Sequence, residues 1–269
     1  MQGPTEADWA PIEGTLRSRQ VPPALRAELR GKLAGRYDGL LLYGSWARRD
    51  AEDDSDLDTL VLNFRGLRPD RAGRVSVAHY NEVELKDVSE TLFGYHLVRD
   101  GVILFDRAGQ LSTILESIKR PAPGTVTERV RSLTPVLDVS PEDRSMYIEG
   151  LTQVARYLLR SALYAEALDQ GEPCFSVREI AERKQDLGMA VVLSSHASVR
   201  PAASPAVFND LQVRLSTVIG PLPPNPYGDL HALIEGAWKG NRELSNFATL
   251  ALSDGADELP YDELAKVTL

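Results

Sequence analysis

The sequence predicts an α+β chain, in which an N-terminal unit built on a mixed sheet flanked by helices is followed by a C-terminal helical bundle. Three observations predict it. Short apolar runs of strand length, Leu40 to Tyr43, Leu57 to Asn63 and the stretch within Gly101 to Asp106, all fall before residue 120. The segment PAPGT, residues 121–125, has the clearest linker composition in the chain. Beyond it, apolar residues recur at three- and four-residue steps, the spacing of helices that bury one stripe. At 269 residues the chain is long enough for two ordinary domains, taking about 150 residues for each.

The elements follow in order. Residues 1–20 carry apolar side chains without an evident period and read as a loosely attached arm. A sheet-bearing domain is expected over 21–120. It opens with a helix from Pro22, where proline stands at the start and Gly31 and Gly35 near the end. Leu40 to Tyr43 and Leu57 to Asn63 read as strands, and Val75 to Tyr80 and Val83 to Val88 as a strand pair turning at Asn81. A helix near Ser89 to Arg99, a strand in GVILFD and a helix around Gln110 to Lys119 complete the unit. Residues 121–139 are expected to be a linker and 140–269 a helical domain. In the latter, Ser140-Pro141 caps a long helix ending at Gly171, Ser176-x-x-Glu179 is a capping box, Ser204-Pro205 opens a third helix, and residues 227–252 make a fourth.

Composition excludes several classes. Hydrophobic residues at 43% and charged residues at 26% fit a globular protein, and no apolar run approaches the roughly 20 residues that span a bilayer. The start, MQGPTEADWAPIEG, has neither a basic segment nor an apolar core of a leader peptide, so the expected location is cytoplasmic. One cysteine, Cys174, leaves no internal disulfide, and His79, His96, His196 and His231 have no metal-ligand spacing. Net charge is −9, with 19 basic against 21 acidic residues over 1–139 and 11 against 18 over 140–269. The absence of a basic stripe argues against a nucleic-acid partner. An acidic helical half suits a cationic small molecule, although an acidic solvated surface is the better explanation of the charge taken alone.

The chemistry concentrates between Leu40 and Leu62. Asp56 and Asp58 stand two residues apart at the head of a strand, so their side chains share a face. Two carboxylates at ~4 Å repel by roughly 4 kcal/mol at an effective dielectric near 20, which a hard dication such as Mg²⁺ relieves while drawing in phosphate oxygens. A calcium loop starting at Asp54 is excluded, because Thr59 stands where it needs glycine and Arg65 where it needs a bidentate glutamate. Gly44-Ser45 follows the first strand directly and offers close backbone approach and a hydroxyl to a phosphate. Either pair alone would be an ordinary turn or an acidic loop. Strand, Gly-Ser, a short segment with Arg48 and Arg49, an acidic turn and then Asp-x-Asp opening a strand is a more specific order. Trp46 reads either as a stacking platform or as packing under the loop.

The segment GSWARRDAEDDSDLDTLV, Gly44 to Val61, resembles the signature of the nucleotidyltransferase superfamily that includes DNA polymerase beta. It is most similar in style to bacterial antibiotic (aminoglycoside) adenylyltransferases and to minimal nucleotidyltransferases. The resemblance covers residues 36–106, while the helical half matches only in kind. It implies that Gly44 and Ser45 hold a triphosphate, that Asp56 and Asp58 bind Mg²⁺, and that a carboxylate on a later strand completes the metal site. Within NEVELKDVSE, Glu84 lies between Val83 and Leu85 and faces away from the core if they face it; Asp87 has the wrong parity and Glu82 sits nearer the turn. Glu84 is the expected third carboxylate, although an exposed strand glutamate is the plain alternative. Many members have glycine where this chain has Arg49.

The activity implied is Mg²⁺-dependent transfer of a nucleoside monophosphate, AMP from ATP, to a hydroxyl of a small cationic acceptor such as an aminoglycoside, with release of pyrophosphate. Arg48, and from the helical half Lys239 and Arg242, are candidates for further contacts to the nucleotide; the last two read equally as solvated helix residues. Two alternatives stand beside this one. The acceptor could be a protein or tRNA, as in toxin–antitoxin systems, or the chain could bind a nucleotide without turning it over.

Overall fold

The computed structural model describes residues 6–33, 37–63, 70, 73–194 and 199–253. The chain divides into two compact units, Met1–Arg120 and Pro121–Leu269. Among the described residues no helix is long and apolar enough to cross a membrane.

The first unit begins with helices α1 (Glu6–Ser18) and α2 (Pro23–Lys32). Strand β1 (Gly39–Tyr43) runs into a five-residue helix, α3 (Gly44–Arg48), and β2 (Leu57–Leu62) and β3 (Val75–Tyr80) follow. Helices α4 (Glu82–Asp87) and α5 (Leu92–Asp100), strand β4 (Val102–Asp106) and helix α6 (Gln110–Ser117) complete it. The four strands form one mixed sheet in the order β3-β2-β1-β4. β1 is antiparallel to β2 and β4, and β2 is parallel to β3.

Alternation along the strands sorts the two faces. Leu40, Leu42, Leu57, Val61, Val75 and Val77 join Trp9, Ile12, Leu16, Leu25 and Leu29 of α1 and α2 in one core. Leu41, Tyr43, Leu60 and Tyr80 alternate to the opposite face, where Tyr43 and Tyr80 each pack a ring on Phe93 of α5. Asp58 belongs by parity to this second face, because it pairs with Tyr43 across β1 and β2.

Three expectations for the first unit and the linker are corrected. The arm expected over residues 1–20 is largely helix α1, whose Trp9, Ile12 and Leu16 sit one helical face apart and are buried against the sheet. The strand expected from Val83 to Val88 is helix α4. Asn81 caps it: its side chain accepts from the Glu84 N–H at 2.9 Å, and the Glu84 carboxylate accepts from the Asn81 N–H at 2.8 Å. Val83 is 67% exposed while Leu85 is fully buried, which a strand with both facing one core would not allow. The linker expected over 121–139 is helix α7 (Pro123–Leu133) followed by a 3₁₀ turn, Thr134–Leu137, whose Val136 and Leu137 are fully buried.

The second unit is helical. α8 (Pro141–Met146), capped by Ser140 as expected, is followed by α9 (Ile148–Asp169), α10 (Val177–Arg183), α11 (Leu187–Val192), α12 (Pro205–Ile219), α13 (Leu230–Ala237) and α14 (Arg242–Ala251). The single helix expected from Ser140 to Gly171 is broken at Tyr147, and that expected over 227–252 is broken between Ala237 and Arg242. α9 is buried along most of its length and packs against α7, α12 and α14. Arg156 on α9 is buried because its guanidinium donates to the carbonyls of Val192 at 3.0 Å and Pro201 at 2.7 Å.

The burial of α1 gives a direct test. Truncating Ile12 to alanine is expected to cost about 2–5 kcal/mol in a denaturant titration, the usual loss for a fully buried isoleucine. A detached arm would lose almost nothing.

Candidate nucleotide site

The site is built on the adjacent ends of β1 and β2. At its end β1 turns directly into α3, and the turn is made at Gly44, whose φ of 74° lies in the left-handed region. A Cβ there would also stand 2.4 Å from Oδ2 of Asp58. The backbone angle favours glycine, and a side chain here would displace the carboxylate that lies against it. The register explains the approach: Tyr43 is paired with Asp58, so the residue after Tyr43 emerges beside the Asp58 side chain. Gly44-Ser45 and Asp58 thus form one locus. Asp58 is half-buried and Asp56, one residue before the start of β2, is exposed.

The segment that delivers Asp56 is held from two sides. Residues 52–55 form a turn in which the Glu52 N–H donates to the Ser55 hydroxyl at 2.8 Å. Arg74, at the entry to β3, donates to the carbonyls of Asp53 at 2.6 Å and Ser55 at 2.9 Å. The indole N–H of Trp46 reaches the same Ser55 carbonyl at 3.3 Å. Trp46 is buried in the α1 and α2 core, so it packs under the loop and is not a stacking platform. Asp53 and Asp54 shape the turn. α3 itself is closed by Arg49, at φ 69° and ψ 28°, and by a hydrogen bond from Arg19 to the Ala47 carbonyl. Arg49 therefore keeps the left-handed backbone that a glycine would adopt without strain.

Arg48, a candidate for contact with the nucleotide, makes two contacts within the protein. Its Nη1 donates to Nε2 of His96 on α5 at 3.1 Å, and its Nε to Asp50 at 3.2 Å. Arginine has no acceptor, so His96 Nε2 must be the acceptor here. Burial, reinforced by the charges of Arg48 and Arg99, pushes the His96 pKa down to about 3. Asp100 lies 3.7 Å from His96, and burial raises its carboxyl above the usual range against the opposing pull of Arg99 and Arg48. A neutral imidazole thus ties α3 to α5 through the arginine.

Glu84 is not joined to the aspartates. Its carboxylate is taken by the α4 cap, and among the described residues no three His, Cys, Asp or Glu side chains are gathered as for a metal ion. The parity argument that selected it depended on a strand that is a helix. Lys239 and Arg242 belong to the second unit. Lys239 is exposed just beyond α13, and the Arg242 guanidinium lies 5.3 Å from the Trp238 ring centroid.

The residues present fit one divalent cation shared with phosphates. Asp58, against the Gly44 backbone, and Asp56, exposed just before β2, are hard oxygen donors, and the Gly44 backbone leaves space that a side chain would fill. Mg²⁺ is commonly held by one or two carboxylates with phosphates and water completing its octahedron. The supports from Arg74 and from the Arg48–His96 pair went unread in the sequence, and Trp46 was open between two readings. Each joins residues 9 to 48 positions apart, and only the fold brings them together.

No protein-family model matches the chain, and a search of curated proteins finds no significant relative.

Two measurements check this geometry. Replacing Glu84 with alanine is expected to lower stability by about 1 kcal/mol, as loss of a capping contact does, while leaving Mg²⁺–ATP binding unchanged in a titration; a metal ligand would show the reverse pattern. His96 gives a pH signature. Unfolded, it takes a proton below about pH 6.5, whereas folded it resists until about pH 3, so stability falls as pH drops through that window. His96→Gln keeps an acceptor for Arg48 and removes this titration. Its unfolding free energy should depend less on pH between about 5 and 6.5, by up to about 1.4 kcal/mol per pH unit.

Proposed function

We propose that the chain is a metal-dependent nucleotidyltransferase that transfers AMP from ATP to a hydroxyl of a small cationic acceptor. The observation that carries the reading is the contact of Gly44 with the Asp58 carboxylate, which supports taking the Gly-Ser turn and the Asp-x-Asp pair as parts of one site. In that reading Ser45 and the open backbone at Gly44 hold the outer phosphates. Asp56 and Asp58 hold the cation, which neutralises charge on the phosphates when bound. The work of the protein is positioning: the acceptor oxygen bonds to the α-phosphorus as the bond to the pyrophosphate oxygen breaks, pyrophosphate leaves, and the proton of the acceptor hydroxyl passes to water. The excess of acidic residues over 140–269 supports a cationic acceptor.

A second reading is binding of a metal–nucleotide complex without rapid transfer. It is favoured by one observation, that Glu84 does not join Asp56 and Asp58.

The two readings separate in a pyrophosphate-release assay with ATP, Mg²⁺ and a panel of aminoglycosides. Transfer predicts release that depends on one acceptor class and falls by roughly 10²–10³ in Asp58→Asn, the usual loss when a group stabilising transition-state charge is removed. Nucleotide binding with no release on any acceptor decides for the second reading, and absence of ATP binding contradicts both.

A further inference from the structure

The strand beside Asp58 carries a specific consequence for the metal. β2 and β3 are parallel and in register, with Asp58 opposite Ser76, Leu60 opposite Ala78 and Leu62 opposite Tyr80. Residues paired in this way project to the same face from strands about 4.8 Å apart. Position 76 is therefore the place on β3 from which a side chain reaches the Asp58 carboxylate. Ala78 and Tyr80, further along the same face, are fully buried, whereas Ser76 is half-buried like Asp58. The neighbouring strand thus sets a hydroxyl beside Asp58 and not a third negative charge.

Several other acids of this unit are committed elsewhere. Glu84 caps α4, Glu82 pairs with Lys86, and Asp106 accepts from the Leu111 and Ser112 N–H groups at the start of α6. Asp50 and Asp100 belong to the Arg48 and His96 network. Residues 1–5, 34–36, 64–69 and 71–72, which lie outside the described part of the first unit, contain no Asp or Glu, and among the acids of that unit only Glu6 has a side chain that is not described.

We infer that Ser76 sets the metal requirement of this site: one divalent cation enters together with the nucleotide, whose phosphates complete its ligand set, and the free protein does not hold it. The inference rests on the nucleotide reading of Asp56, Asp58 and Gly44-Ser45. A dication held by two carboxylates, one of them exposed to water, keeps most of its hydration and dissociates readily; triphosphate oxygens add the missing negative charge. It follows that introducing a carboxylate at position 76 substitutes for the phosphates as far as metal affinity is concerned.

The test is equilibrium dialysis of the whole chain against Mn²⁺, with and without a non-hydrolysable methylene analogue of ATP, followed by the same measurement on Ser76→Asp and Ser76→Asn. The wild type is expected to bind one Mn²⁺ per chain with the analogue and to bind Mn²⁺ alone at least about tenfold more weakly. Ser76→Asp is expected to bind Mn²⁺ alone at least about tenfold more tightly than the wild type, a modest share of what one added charge next to a dication supplies. Ser76→Asn, with the same shape and no charge, gains nothing. Tight binding of Mn²⁺ to the free wild type, or two ions in the ternary complex, overturns the inference while leaving the nucleotide reading intact. Equal affinity of folded Ser76→Asp and wild type for Mn²⁺ overturns the role of Ser76. If Ser76→Asp does not fold, the wild-type comparison with and without the analogue still decides. If the analogue does not bind with or without Mn²⁺, the nucleotide reading fails first, and the inference falls with it.

Discussion

The candidate site depends on one constraint, the pairing of Tyr43 with Asp58 across β1 and β2. That pairing brings the end of one strand beside the start of the other and sets the Asp58 carboxylate against the backbone of Gly44. Antiparallel strands need only a short excursion to return, but here the connection is α3 and an acidic turn. The chain uses the excursion to place a hydroxyl at Ser45 and a second carboxylate at Asp56 on either side of the junction. Any side chain at position 44 would force either the left-handed backbone or the carboxylate to move.

The surroundings keep this junction in place. Arg74 and the Trp46 indole hold the same carbonyl, that of Ser55, so the turn before Asp56 is tied both to β3 and to the core under α3. Arg48 ties α3 to α5 through an imidazole kept neutral by burial and by the arginines around it. A charged His96 would set like charges against each other in a poorly hydrated place, which is why the proton is excluded down to about pH 3. These contacts act by positioning, and none of them needs to touch a ligand to matter. A site that works through charge placement gains most from this kind of support.

Much of the arrangement was legible in the sequence, and the reasons it was or was not are local. The order of strand, Gly-Ser, acidic turn and Asp-x-Asp is written in consecutive residues, so the motif and the two strands that carry it could be read directly. Glu84 misled because Val83 and Leu85 alternate as in a strand. The competing signal, Asn81 with Glu84 three residues on, is a capping box, and hydrogen bonds at both ends of that box prevailed. In α1, Pro11 and Gly14 obscured the spacing of Trp9, Ile12 and Leu16, and burial against the sheet outweighed their low propensity. The breaks at Tyr147 and after Ala237 lie inside patterns that were periodic on both sides, which periodicity alone cannot resolve. The part played by Ser76 required the parallel register of β2 and β3, a long-range pairing with no local trace.

The central claim is that the Gly44 turn and the two aspartates are a single nucleotide–metal locus. The most direct measurement is anomalous diffraction from crystals grown with Mn²⁺ and a non-hydrolysable ATP analogue. The account predicts one manganese peak bridging the carboxylates of Asp56 and Asp58 and the phosphates, with the outer phosphates against Ser45. A nucleotide seated elsewhere in the chain, or manganese held away from Asp56 and Asp58, would contradict it.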